Sequence, residues 1–154
     1  ESGRRAGTEN VPAIVGGAAA IKIAQDTYQA EASRLTKLRA QLLKQLQEAL
    51  PDSKLNGDAA RRLPNNLNLT IPGLDAEALT LYLDADGVTI GMGADCSNLT
   101  LEPSHVLEAL GLSTKDALAT IRLTLGWITT DKEVEEAAKR IIKRVQWLRN
   151  PQVG

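Results

Sequence analysis

The sequence predicts an α+β fold, with three or four short strands packed with helices and preceded by one long helix. Three observations carry that reading. Leu35, Leu38, Leu42, Leu46 and Leu50 recur at helical spacing. Leu67, Leu69 and Ile71 alternate with Asn68 and Thr70, and Ile121, Leu123 and Leu125 alternate with Arg122 and Thr124, which is the period of strands with one buried face. Between and after these runs, capping and turn residues leave room for further helices.

In chain order, residues 1–12 are rich in Gly, Arg, Thr and Asn, have no periodicity and read as a loop. Residues 13–50 contain no proline and form a long connecting helix that stops at Pro51. Its early turns include Gly16 and Gly17; a helical glycine costs about 1 kcal/mol against alanine, so a kink or a tight helix crossing is expected there. Residues 51–154 make up the small α+β domain. Its first strand ends at Pro72-Gly73, Asp75 caps a helix running through Leu83, and Asp86-Gly87 turns the chain. The β-branched run Val88-Thr89-Ile90 reads as a short strand ending at or just after Ile90. Pro103 and Ser104 open a helix whose Val106, Leu107 and Leu110 keep helical spacing up to Gly111. Ile121 to Leu125 is the last strand, and Thr130 with Glu133 forms a capping box for a terminal helix through about Leu148. There is no internal repeat and no low-complexity tract.

A chain of 154 residues, 43% hydrophobic and 24% charged, holds one ordinary core. A net charge of −1 and short basic clusters give no reason to expect a nucleic-acid partner. No apolar run reaches membrane-spanning length, so no membrane partner is expected. A single cysteine excludes an internal disulfide, and a cytoplasmic location is expected. Phenylalanine is absent, which leaves Leu, Ile, Val and Ala to fill the core. The chain opens on Glu1 with Met92 as its only methionine, so it is expected to begin after processing, cleavage or truncation.

Two side chains stand out chemically. Cys96 falls between the 88–90 strand and the helix after Ser104, on a connection of small and polar residues where reactive groups are often placed. A buried structural thiol is the competing reading. Arg122 projects from a strand on the face opposite Ile121 and Leu123. Its guanidinium suits a two-pronged contact with a carboxylate; the alternatives are a solvated strand face or a structural ion pair. His105, the only histidine, reads as part of a helix start, and Asp84 and Asp86 have no metal-ligand spacing, so no metal site is expected. Asn65, Asn66 and Asn68 are expected to satisfy backbone groups near the strand entry, and Glu102 to fix the exit of the Cys96 loop.

Four motifs in order, Gly3-Arg4-Arg5-Ala6-Gly7-Thr8, Leu63-Pro64-Asn65-Asn66-Leu67-Asn68, Cys96 with Leu101-Glu102-Pro103-Ser104-His105, and Ile121-Arg122-Leu123-Thr124-Leu125-Gly126 with Thr129-Thr130, resemble the cysteine desulfurases. These are pyridoxal-phosphate enzymes of the aminotransferase class V family. The resemblance, to the long-loop group, implies the small C-terminal domain of a fold-type I enzyme that moves sulfur from L-cysteine to a cysteine persulfide and leaves alanine. It implies that Cys96 is the nucleophile and that Arg122 binds the substrate carboxylate. It also implies that Thr8 reaches the cofactor phosphate of the opposite subunit in a homodimer, and that an iron–sulfur scaffold or another sulfur acceptor is the partner.

The resemblance also marks departures. The family's Ser-Ser-Gly-Ser-Ala-Cys is here Gly91-Met92-Gly93-Ala94-Asp95-Cys96, and the Asp95 carboxylate disfavours a neighbouring thiolate. Trp127-Ile128 stands where Arg-Phe is common. The family's Schiff-base lysine precedes the Arg-Arg-x-Gly-Thr motif and has no counterpart in this stretch. The chain alone is therefore expected to retain no pyridoxal 5′-phosphate and to be inactive. The alternative function is a cofactor-free sulfur-relay or interaction module built on the same domain.

Overall fold

A computed structural model describes residue 3 and residues 6–93 and 103–150. Helix α1 (Val11–Ala49) starts with Pro12 in its first turn and the Asn10 side chain accepting from the Ala13 N–H at 3.1 Å. It runs unbroken through Gly16 and Gly17, and nothing lies within 4 Å of a Cβ built at either. The tight crossing expected there is not made among the described residues. Every residue from 11 to 30 is exposed, and burial begins at the leucine stripe Leu35, Leu38, Leu42 and Leu46.

The other elements are β1 (Lys54–Leu55), β2 (Asn66–Thr70), α2 (Ala76–Ala85), β3 (Gly91–Met92), α3 (His105–Ala109), α4 (Thr114–Leu118), β4 (Thr120–Thr124) and α5 (Asp131–Arg149). The strands make one antiparallel sheet in the order β1-β2-β4-β3. Its apolar face, with Leu67, Leu69, Ile121 and Leu123, packs in one core with the α1 stripe, Leu79 and Leu83 of α2, and Val134, Ala138, Ile141 and Val145 of α5. The fold is α+β.

Three expectations need correction. Val88 to Ile90 forms no ladder; the Val88 N–H donates to Leu83 O to close α2, and strand pairing starts only at Gly91. Strand β2 is buried on both faces, because Asn56 covers its polar side. Ser104 occupies the N-cap of α3, but its buried hydroxyl makes no cap bond and has no partner among the described residues. The α5 capping box forms with both reciprocal bonds. Two short elements lie beyond those the sequence predicts: β1, and α4 with its Ser113 cap.

Long-range arginines lock the periphery. Arg34 donates to the carbonyls of Gly126, Trp127 and Thr129 while paired with Glu31. Arg144 holds the Asp86 carboxylate with two donors, and Arg140 donates to the Asp86 carbonyl, so α5 grips the end of α2.

Candidate functional site

The alternation of β2 and β4 puts Asn66, Asn68 and Thr70, with Thr120, Arg122 and Thr124, on the face of the sheet away from the core. Registration sets Asn68 opposite Arg122 on one side and Gly91 opposite Arg122 on the other. Arg122 therefore stands in the middle of the polar face, half-buried, with a neighbour strand on each flank.

Its guanidinium leans over β3. A Cβ built on Gly91 would lie 3.1 Å from one terminal nitrogen, 3.2 Å from Nε and 3.4 Å from Cζ. Those separations are closer than ordinary van der Waals contact, so the missing side chain of Gly91 makes the space that Arg122 occupies. The sequence offered the glycine but not its partner, because register is not visible in a single chain.

A buried polar network flanks this arginine. Asn56 Nδ2 donates to Asn68 Oδ1 at 2.8 Å and to Thr70 Oγ1 at 2.9 Å, and the Thr70 and Thr120 hydroxyls are 2.7 Å apart. Thr120 also donates to the Asp116 carbonyl, which ties in α4. With its oxygen committed to Asn56, Asn68 turns its amide to Gly93 and donates to that carbonyl at 2.9 Å. The Gly93 N–H in turn donates to Thr120 O at 2.7 Å. Gly93 has φ +51, the left-handed region that glycine enters without strain.

Of the three site residues the sequence singled out, Arg122 is thus placed on the polar face. Thr8 is exposed on the segment ahead of α1. Cys96, Asp95 and Glu102 lie outside the described residues. His105 is the exposed first residue of α3, and Trp127 and Ile128 are strongly exposed at 82% and 69%. Asp86 serves structure: the Arg144 guanidinium holds its carboxyl below the usual aspartate range. Among the described residues no group of His, Cys, Asp or Glu could hold a metal ion, and no helix is long and apolar enough to cross a membrane.

A groove of about 480 Å³ runs between residues 87–90, the end of β4 and the first half of α5, and Arg122 does not line it. All eight lysines, Lys22, Lys37, Lys44, Lys54, Lys115, Lys132, Lys139 and Lys143, are exposed, and none lines that groove. That groove therefore offers no lysine amine to the aldehyde of pyridoxal phosphate.

The profile of the family described as aminotransferase class-V matches residues 1–137. Among curated relatives, "Cysteine desulfurase IscS" of Dictyoglomus turgidum is 38% identical over 149 residues, covering 95% of this chain and 38% of that protein. "Cysteine desulfurase IscS 1" of Archaeoglobus fulgidus is 40% identical, covering 95% of this chain and 39% of the relative. Among solved structures, a "NifS-like protein" superposes with a TM-score of 0.80 at 29% identity, over 95% of this chain and 36% of that one. The NifS-like protein from Rickettsia africae gives 0.78 at 29% identity, over 92% and 37%. The chain thus spans a little over a third of the length of the relatives it matches. Matched by sequence profile over most of its length and by fold over nearly all of its residues, the chain belongs to the aminotransferase class-V family.

Proposed function

We propose that this chain supplies the substrate-anchoring and sulfur-accepting part of a cysteine desulfurase. Arg122 binds the carboxylate of L-cysteine, and Cys96 takes up the sulfur. The observation that carries the reading is the pairing of Arg122 with Gly91, which puts the anchoring guanidinium over the strand that leads, five residues on, to the only cysteine. A guanidinium positioned by a rigid strand suits two-pronged contact with a carboxylate.

Atoms balance without an outside oxidant. The Cβ–S bond of L-cysteine breaks and the sulfur bonds to Cys96 Sγ as a persulfide. The proton formerly on the Cys96 thiol ends on the methyl group of L-alanine, so carbon is reduced as sulfur is oxidised. Because no lysine lines the described groove, we assign pyridoxal phosphate to the remainder of the parent enzyme, with the Thr8 hydroxyl reaching its phosphate across a homodimer. The chain alone is then inactive. The persulfide passes in the cytoplasm to an iron–sulfur scaffold or a thiolation acceptor. Sequence relatives named cysteine desulfurase support the reading.

The test uses the holoenzyme containing this sequence, with L-cysteine, and follows alanine and the mass of the Cys96 peptide. Unaltered enzyme is expected to yield alanine and a Cys96 peptide heavier by one sulfur atom. Arg122→Ala should raise KM about 30-fold, the loss of roughly 2 kcal/mol of charge-assisted contact. Undiminished alanine formation by Cys96→Ser would overturn the assignment.

A further inference from the structure

We propose that Asn68 is a positioning residue that fastens the root of the Cys96 segment to the strand pair carrying Arg122. The kinetic consequence rests on the desulfurase reading; the fastening itself rests on geometry alone. Asn68 is on β2 and Gly93 directly follows β3, yet β4 lies between those strands. The Asn68 amide therefore reaches across β4, beside the Arg122 position it is registered with, to donate to the Gly93 carbonyl at 2.9 Å.

Three features show that this contact is specified. Asn68 is only 9% exposed, so its amide is withdrawn from water and needs its partner. Its orientation is fixed from behind, because Asn56 Nδ2 occupies its oxygen and leaves the amide hydrogens to point at Gly93. Asn56 is itself held by Thr70, and Thr70 by Thr120, so the support reaches β4 two residues before Arg122. Gly93 is thus gripped at both polar groups, its N–H by Thr120 and its carbonyl by Asn68.

Cys96 follows Gly93 by three residues, and three residues of chain span at most about 11 Å. Whatever path the segment takes, the point from which it is paid out is set by Asn68. A root fixed relative to Arg122 keeps the accepting thiol within range of a substrate that Arg122 has anchored. Loosening the root should slow sulfur transfer while leaving carboxylate binding in place.

The experiment compares Asn68→Ala with Thr124→Ala in the holoenzyme. Thr124 is exposed on the same face of β4 and takes no part in the Asn56–Asn68–Thr70–Thr120 network. Hydrogen exchange at the Gly93 amide should quicken about tenfold or more in Asn68→Ala and change less than about threefold in Thr124→Ala. At saturating L-cysteine, kcat for alanine should fall about tenfold in Asn68→Ala with KM within about threefold, and stay within about threefold in Thr124→Ala. Unchanged Gly93 exchange in Asn68→Ala, or equal kcat losses in the two variants, would overturn the proposal. If the unaltered holoenzyme makes no alanine, the desulfurase reading falls and the kinetic half of the proposal falls with it. The exchange result then decides the fastening on its own.

Discussion

Helix α1 should behave as two halves with different energetics. Leu46 is 0% exposed in the core between the sheet and α5, whereas Ile21, on the same helix, is 63% exposed. Truncating Leu46 to alanine removes the buried side chain beyond Cβ. That amounts to about 2.5 kcal/mol of transfer free energy at roughly 0.8 kcal/mol per buried carbon. The cavity left in a core without phenylalanine to flow into it raises the cost to about 3–5 kcal/mol. At about 2–4 °C per kcal/mol for a chain of this size, Tm should drop by roughly 6–20 °C.

Ile21→Ala gives up little burial and gains a few tenths of a kcal/mol of helix propensity, so stability should stay within about 0.5 kcal/mol. Urea unfolding of the 154-residue chain, with equal m values required, measures both variants. Hydrogen exchange should agree, with amides 15–30 opening far more readily than those around Leu42 and Leu46. A cost above about 1.5 kcal/mol for Ile21→Ala, unchanged on dilution, would refute the argument, because it would mean that the first half of α1 is packed within this chain.

Two further predictions come from residues whose partners only the structure shows. Gly91→Ala introduces a methyl 3.1–3.4 Å from the Arg122 guanidinium, whose flexible end can yield by a few tenths of an ångström; Tm should stay within a few degrees while KM for L-cysteine rises about threefold or more in the holoenzyme, and a large fall in Tm with unchanged KM would count against it. Asp86, held below its usual pKa of 3.8 first by Arg144 and then by Lys143 and Arg140, contributes stability that is present above the unfolded value and lost as pH falls through the folded one. Asp86→Asn should therefore be less stable than wild type at pH 7, and the gap should narrow on acidification to about pH 3; a gap independent of pH would contradict the linkage.

The elements read best from sequence were those whose local signals agreed with their tertiary surroundings. The leucine stripe of α1, the β2 and β4 alternation and the Thr130–Glu133 box each state their own structure, and each sits where the core needs it. Val88 to Ile90 misled because β-branching marks a preference for extended chain, while ladder membership depends on what lies alongside. Here the close of α2 claimed Val88 first. β1 and α4 are too short for periodicity to show at all. Residues 11–30 include Val11, Ile14, Val15, Ile21 and Ile23 and are helical without being core, because an apolar side chain does not report the presence of something to cover it.

The candidate site was legible by residue type and illegible by relation. Arg122 could be picked out because an arginine in an alternating strand must face away from its leucines. Nothing in the chain says that position 122 registers with 91 and 68, yet that register makes a glycine into clearance and an asparagine into a fastening. The period-two geometry also separates two kinds of constraint. Leu67, Leu69, Ile121 and Leu123 hold the sheet to its helices, while the residues interleaved with them face the opposite way, where Asn68, Thr70 and Thr120 are buried in a hydrogen-bonded network of their own. Substitution at Gly91 should therefore act mainly on geometry around Arg122, substitution at Asn68 on both that geometry and stability, and substitutions one residue away in β2 mainly on stability. One strand pair thus carries the core on one face and the candidate site on the other, with the alternation of its side chains keeping the two apart.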